Sequence, residues 1–287
     1  MTIRAPFGVR LREATDRHGP LCVGIDPHRE LLQAWGLDDD VRGLRRFAEA
    51  AVEAFAGTVA VVKPQSAFFE RFGSDGVEVL EDTLCALKEE GTLSLLDVKR
   101  GDIGSTMQAY AAAYLGECSA LAADAVTLSP YLGLESLRPA YDLAAKNGRG
   151  TFVLSLTSNP EARSLQQAQG ERQSIAGAVI EGVGRLNADE GEDSRWGSYG
   201  VVIGATVGDA LHRLELIEPL VVSRAPVLAP GLGAQGATAE SIRRTFGEAV
   251  GQVLPTTSRA VLSAGPDVRR LRDAVLQAQE DVAKLRD

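Results

Sequence analysis

Short runs of aliphatic and β-branched residues alternate with longer amphipathic stretches along nearly the whole chain. The short runs fall at 21–26, 58–63, 92–99, 123–129, 151–157, 199–204, 225–229 and 251–256, and each reads as a strand. Apolar residues spaced by three and four predict helices over 41–56, 77–90, 106–117, 134–147, 174–188, 207–220 and 239–246. A last helix is predicted over 266–287. There Val268, Leu271, Val275, Ala278, Val282 and Leu285 share one face suited to docking on the rest of the fold.

Alternating strands and helices imply a parallel sheet. Eight such units predict an α/β fold of the closed (β/α)8 TIM-barrel kind, forming a single domain over 1–287 with a C-terminal helical tail. An open doubly wound sheet is the alternative. It requires a glycine-rich fingerprint after the first strand, and Gly24-Ile25-Asp26-Pro27-His28 is not one. The polar stretches 162–173 and 189–197 predict long loops, the second on the face away from the strands' C-terminal ends.

Composition narrows the chemistry. Hydrophobic residues make up 45% of the chain and charged residues 24%, enough for a large core. A net charge of -9 argues against non-specific nucleic-acid binding, while leaving room for a small anion where a few cations converge. No apolar run approaches the ~18 residues of a membrane span. The first twelve residues lack the apolar centre of a secretory leader, which predicts a cytoplasmic protein. Cys22, Cys85 and Cys118 are scattered and odd in number, and read as reduced and structural. His18, His28 and His212 form no ligand cluster, and no metal or organic cofactor is expected. The aromatic residues make no stacking row for nucleic acid.

In such a barrel, chemistry belongs at the C-terminal ends of the strands. The polar residues there are Asp26, Lys63, Asp97, Lys99, Asp102, Ser158, Asn159, the loop 230–236, and Ser258-Arg259. Asp97 and Lys99 are two apart on a strand and so share a face. A turn at Gly101 would return Asp102 towards Lys99, giving a row of Lys63, Asp97, Lys99 and Asp102 in alternating sign. A lysine between carboxylates stays protonated, which suits a proton donor and not a Schiff-base nucleophile. A surface salt-bridge row is the plainer reading, but the apolar residues 93–96 lead directly into Asp97 and favour a site. The glycine-rich loop 230–236, before a predicted helix, offers backbone N–H groups to a phosphate, and Arg259 adds a guanidinium fork. His28 reads as a surface or capping residue.

The stretch Leu96-Asp97-Val98-Lys99-Arg100-Gly101-Asp102-Ile103-Gly104-Ser105-Thr106 resembles the signature of the orotidine 5′-phosphate decarboxylase family, in its longer bacterial branch (type 2). Supporting segments are Gly24-Ile25-Asp26-Pro27, Val62-Lys63-Pro64-Gln65, Thr157-Ser158-Asn159-Pro160, Val202-Ile203-Gly204-Ala205-Thr206, the loop 230–236 and Ser258-Arg259. The resemblance implies a barrel of the ribulose-phosphate-binding type. It also implies cofactor-free conversion of orotidine 5′-monophosphate to uridine 5′-monophosphate and CO2, in a homodimer with shared active sites. Asp26 and Lys63 would hold the ribose hydroxyls. Asp97 would face the substrate carboxylate, and Lys99 would deliver the proton to C6. Asp102 and Thr106 would reach into the partner's site, and Ser158 would bond the pyrimidine. Gln235, Gly236 and Arg259 would take the 5′-phosphate. Ser129 stands where this branch is expected to have Asn, which leaves that position without an implied role.

Three rivals remain at this stage. A metal-dependent sugar-phosphate decarboxylase or aldolase of the same superfamily would present an acidic ligand at the end of the second strand, where this chain has Lys63. A Schiff-base aldolase is disfavoured by the carboxylates around Lys99. A non-catalytic nucleotide-phosphate sensor would have no use for a proton-donating lysine opposite a carboxylate.

Overall fold

A computed structural model describes residues 4–190, 196–234 and 236–285. Eight strands appear where the apolar runs place them: β1 (Cys22–Ile25), β2 (Val61–Pro64), β3 (Leu93–Arg100), β4 (Ala125–Leu128), β5 (Gly150–Leu156), β6 (Tyr199–Ile203), β7 (Val227–Pro230) and β8 (Val253–Thr257). Each pairs in parallel with its sequence neighbour, and β8 returns to β1, closing the barrel.

Alternation along each strand divides its side chains between two cores. Val23, Val62, Leu96, Val126, Val153, Val201 and Val227 face outward into the layer covered by helices. Cys22, Val61, Leu93, Leu95, Ala125, Phe152, Val202, Leu228 and Leu254 fill the barrel interior. The inward parity carried two or more residues further reaches Asp26, Lys63, Gln65, Asp97, Lys99 and Thr127 at the upper mouth. The buried thiol of Cys22 is pushed up to about 12 by desolvation, and it is an inert packing group. Cys85 and Cys118 are also free thiols but exposed, so the structural reading holds for Cys22 alone.

The helices begin at polar caps. Asp40, Ser174, Thr238 and Asp267 each accept a backbone N–H of the turn they precede, and Thr238 forms a capping box with Ser241. The final helix, Val268–Ala283, buries Leu271, Val275 and Val282 and packs on the helix Val41–Phe55, as its periodicity requires.

Two expected helices are interrupted. The stretch 207–220 forms two short helices, Ala210–Arg213 and Ile217–Val222, separated by Glu215 at φ 56°. Pro219 explains the break: it has no N–H, and its ring would meet the carbonyl four residues earlier. The stretch 134–147 opens as a 3-10 turn, Leu134–Leu137, and continues as the helix Arg138–Lys146, with Pro139 in its first turn. Several helices lie outside the predicted ranges, among them the short Arg29–Ala34, Ala67–Glu70 and Arg259–Leu262 and one longer helix at the start of the chain. Phe7–His18 closes the lower end of the barrel, with Phe7 edge-on to Phe152 at 6.1 Å. Arg10 binds Asp124 at 2.6 Å and the carbonyl of Gly148 at 2.7 Å. Of the two polar stretches, 162–173 contains the one-turn helix Arg163–Gln166, and most of 189–197 lies outside the described residues.

Candidate active site

A cavity of about 390 Å³ opens at the C-terminal ends of the strands. Its polar lining includes Asp26, Lys63, Asp97 and Lys99 on one side and Arg259 on another. Leu154, Val202 and Leu228 supply an apolar floor from the barrel interior.

The charges form a connected row. Lys63 Nζ lies 3.8 Å from Asp26 Oδ1 and 3.2 Å from Asp97 Oδ2. Lys99 Nζ lies 2.6 Å from Asp97 Oδ1. Gln65 Nε2 donates to Asp97 Oδ2 at 2.7 Å, and the Thr127 hydroxyl donates to Asp97 Oδ1 at 2.7 Å. Burial alone would favour the neutral carboxyl, but Lys63 and Lys99 outweigh it and hold Asp97 well below the usual carboxylate range. Burial also works against the Lys63 ammonium, and there Asp26 and Asp97 reverse the balance and raise its pKa. Both groups are therefore ionised at neutral pH. Lys63 is almost wholly buried, whereas nearly half of the Lys99 side chain remains open to the cavity. Asp26 is anchored by the Ser258 hydroxyl at 2.6 Å, while its buried Oδ1 has no hydrogen-bond partner among the described residues.

Backbone geometry sets Lys99 apart. Its φ is 46°, in the left-handed region that non-glycine residues seldom adopt. Pairing of β3 with β4 also changes register between Leu96 and Arg100. Arg100 then points outward, to Glu70 at 2.6 Å and over the rings of Tyr110 and Tyr114.

Comparison with known proteins gives the family. The family model for orotidine 5′-phosphate decarboxylase / HUMPS matches residues 19–274. The chain belongs to this family. A curated relative from Salinispora tropica, named orotidine 5′-phosphate decarboxylase, is 56% identical over 269 residues, covering 93% of this chain and 94% of its own. A second with that name, from Streptomyces coelicolor, is 53% identical over 270 residues and 94% of each chain. Among solved structures, a Streptomyces avermitilis protein provisionally given the same name superposes with a TM-score of 0.91 at 51% identity, over 98% of this chain and 96% of that one.

Within this decarboxylase-family barrel, Asp26, Lys63, Asp97, Lys99 and Arg259 converge on the cavity. Asp102 does not join the row within its own chain. Its Oδ1 accepts the N–H of Ile103, and among the described residues no ion pair links it to Lys99. Asp26 stands at the end of the row instead. Gly101 packs against the carbonyl of Ser129, where a Cβ would not fit. Thr106 is exposed on the helix Gly104–Leu115, outside the cavity lining. Ser158 lies exposed at the rim after β5, next to the lining residue Thr157. Gln235 lies outside the described residues, and Gly236 is exposed at φ 87°.

The glycine-rich loop differs from the expected phosphate cradle. The N–H groups of Gly231, Leu232, Gly233, Gly236 and Ala237 bond to Thr256 or within the loop itself. They close a turn and are not free for an anion. His28 is more than a surface residue: it precedes the short helix Arg29–Ala34, rests on Phe68 at 4.2 Å and lines the cavity.

Gln65, Thr127 and Ser258 are the groups that residue-type reasoning did not assign. The strand parity that selected Lys63 and Lys99 also selects Gln65, two residues after Lys63, and Thr127, two after the interior Ala125.

Proposed function

We propose that this protein converts orotidine 5′-monophosphate to uridine 5′-monophosphate and CO2, a step in making pyrimidine nucleotides. Its family membership and relatives of that name support the reaction class. The observation that carries the reading is the half-open Lys99 ammonium, fixed on Asp97 at one wall of the cavity.

The chemistry follows from that contact. The bond between C6 and the carboxylate breaks, CO2 departs, and the electron pair stays on C6. No conjugated sink takes that pair. An ammonium already fixed beside C6 stabilises it electrostatically and then donates its proton, forming the C6–H bond. Lys99 regains a proton from solvent. Asp97 faces the substrate carboxylate and keeps Lys99 on station. Lys63 and Asp26 take the ribose hydroxyls, and a hydroxyl donor would satisfy the buried Asp26 Oδ1. Ser158 meets the pyrimidine. Gln235 and Arg259 hold the phosphate, with the Arg259 guanidinium as the charged partner. The N–H of Gly236 is already bonded to the carbonyl of Gly233, so that residue shapes the loop and does not bind the anion. None of these roles calls on a metal or organic cofactor.

The active form is a homodimer in which Asp102 and Thr106 complete the neighbour's site. Ile103, Tyr131 and Leu132 support this. They expose large apolar side chains on the adjoining loops after β3 and β4, with solvent exposures of 61%, 76% and 52%. A soluble phosphorylated substrate makes the cytoplasm the proposed place of action. Among the described residues no helix is long and apolar enough to cross a membrane.

Incubation with orotidine 5′-monophosphate, followed by ultraviolet absorbance and CO2 release, tests the reaction. Tight binding of uridine 5′-monophosphate without any release of CO2 would favour a nucleotide sensor and overturn this proposal.

A further inference from the structure

Thr127 sits at the upper, inward end of β4 and is 1% exposed. Its hydroxyl makes two contacts with the reactive segment of β3. It donates to Asp97 Oδ1 at 2.7 Å and accepts the backbone N–H of Lys99 at 2.9 Å. The second contact is unusual for a parallel ladder, where a strand N–H pairs with a carbonyl of its neighbour. Here the ladder is broken. Leu96 pairs with Val126 and Arg100 with Leu128, so β3 spans four residues where β4 spans two. The left-handed backbone at Lys99 lies inside that irregularity, and the Thr127 hydroxyl caps the N–H that the irregularity leaves unpaired.

We propose that Thr127 is a positioning residue for the decarboxylation: one hydroxyl fixes both the Asp97 carboxylate and the Lys99 backbone, and so sets the line along which the ammonium meets C6. This rests on the reaction proposed above. Thr127 lines the cavity, but its hydroxyl is spent on Asp97 and on the Lys99 backbone, the two groups the proposed chemical step uses, so the effect belongs to that step more than to binding. The requirement is for a hydroxyl at this depth. Serine meets it. Valine, of nearly the same shape, leaves Asp97 Oδ1 held by the Lys99 ammonium without its second donor, and the Lys99 N–H without its acceptor.

The test compares the parent with Thr127→Val, Thr127→Ser and Thr127→Ala, using steady-state kinetics, thermal unfolding and a crystal structure of the valine variant. Thr127→Val should lower kcat by about tenfold or more. Its KM should change by less than about threefold, and Thr127→Ser should keep kcat within about threefold of the parent. In the crystal structure, Lys99 should leave its left-handed conformation or Asp97 should turn. Should the valine variant not fold, the alanine variant carries the same kinetic and structural readings. Parental kcat in the variant lacking the hydroxyl overturns the inference, as does an unchanged Lys99 backbone with unchanged Asp97 contacts. A parent enzyme that does not turn over the substrate overturns the proposed reaction instead. The variant structure then still decides whether Thr127 sets Lys99.

Discussion

Lys99 Nζ stands 2.6 Å from Asp97 Oδ1, yet Asp97 does not depend on it: Lys63, Gln65 and Thr127 hold the same carboxylate. Lys99 can therefore be removed without leaving a bare buried charge. Lys99→Ala should abolish CO2 release while the fold survives. Asp97 is buried, but it keeps its other three partners and Lys99 is half open to solvent, so the loss should be about 1–3 kcal/mol and thermal unfolding should fall by no more than about ten degrees. Turnover near the parent rate in the alanine variant would remove Lys99 from the mechanism.

The ionisation of the row gives a pH dependence with a definite sign. Asp97 has a folded pKa below its unfolded value of about 3.9, so its contribution to stability is complete above that pH and is lost as pH falls through the folded pKa. Lys63 is the mirror case. Its folded pKa is raised, so its contribution is complete below about pH 10.4 and is lost as pH rises past the folded value. Urea unfolding between pH 6 and 3 should show about 1 kcal/mol of acid destabilisation from Asp97, absent in Asp97→Asn. The variant will be less stable throughout, because Lys63 keeps only Asp26, so the slope with pH is the quantity to compare. Equal slopes in the two proteins would contradict the assignment.

Arg259 lines the cavity from the first residue after Ser258, away from the lysine row. Arg259→Ala should weaken binding of uridine 5′-monophosphate by about 1.5–3 kcal/mol, the value of a charge-assisted phosphate contact. Binding of the unphosphorylated nucleoside should be unchanged. Calorimetry on both ligands separates the two, and an equal loss for nucleoside and nucleotide would place Arg259 elsewhere in recognition.

At the lower end of the barrel, Gly150 leaves the space that Phe7 fills. A Cβ at Gly150 would lie 2.3 Å from Phe7 Cδ1. Gly150→Ala should cost about 1–3 kcal/mol by overpacking. The penalty should shrink when Phe7 is also replaced by alanine, a coupling that a double-mutant cycle reads directly. A penalty of the same size in both backgrounds would mean that the helix Phe7–His18 does not press on β5.

Those features of the fold that rest on periodicity were open to sequence reasoning. Runs such as 199–204 carry the burial pattern of a strand covered on both sides, and the interior parity of Asp97 and Lys99 follows from their spacing. What stayed hidden depends on three-dimensional closure. Asp102 lies three residues beyond Lys99, but its Oδ1 turns to the N–H of Ile103 just after Gly101 packs on the Ser129 carbonyl, and no local pattern encodes that tertiary contact. The loop N–H groups offered to phosphate are engaged because Gly231 and Leu232 meet Thr256 of the neighbouring strand. Thr127 and Gln65 were hidden for another reason: a neutral side chain attracts notice only once its partner's charge is known to lie beside it.

The position of Asp102 leads to a test of shared sites. Within its own chain it makes no ion pair with Lys99, and it adjoins the exposed apolar residue Ile103. In the proposed two-fold dimer, each site would take Lys99 from one subunit and Asp102 from the other. Lys99→Ala and Asp102→Ala homodimers should each be nearly inactive. Random reassortment makes about half of the dimers hybrid, and each hybrid then has one site with both defects and one with neither. Mixing should therefore restore up to roughly a quarter of the parental activity per total site. Differential tagging verifies that the hybrids have formed. If they form and activity stays at the level of the two parents, Asp102 acts within its own subunit, and the loop after Gly101 must fold back on binding substrate to bring its carboxylate to Lys99.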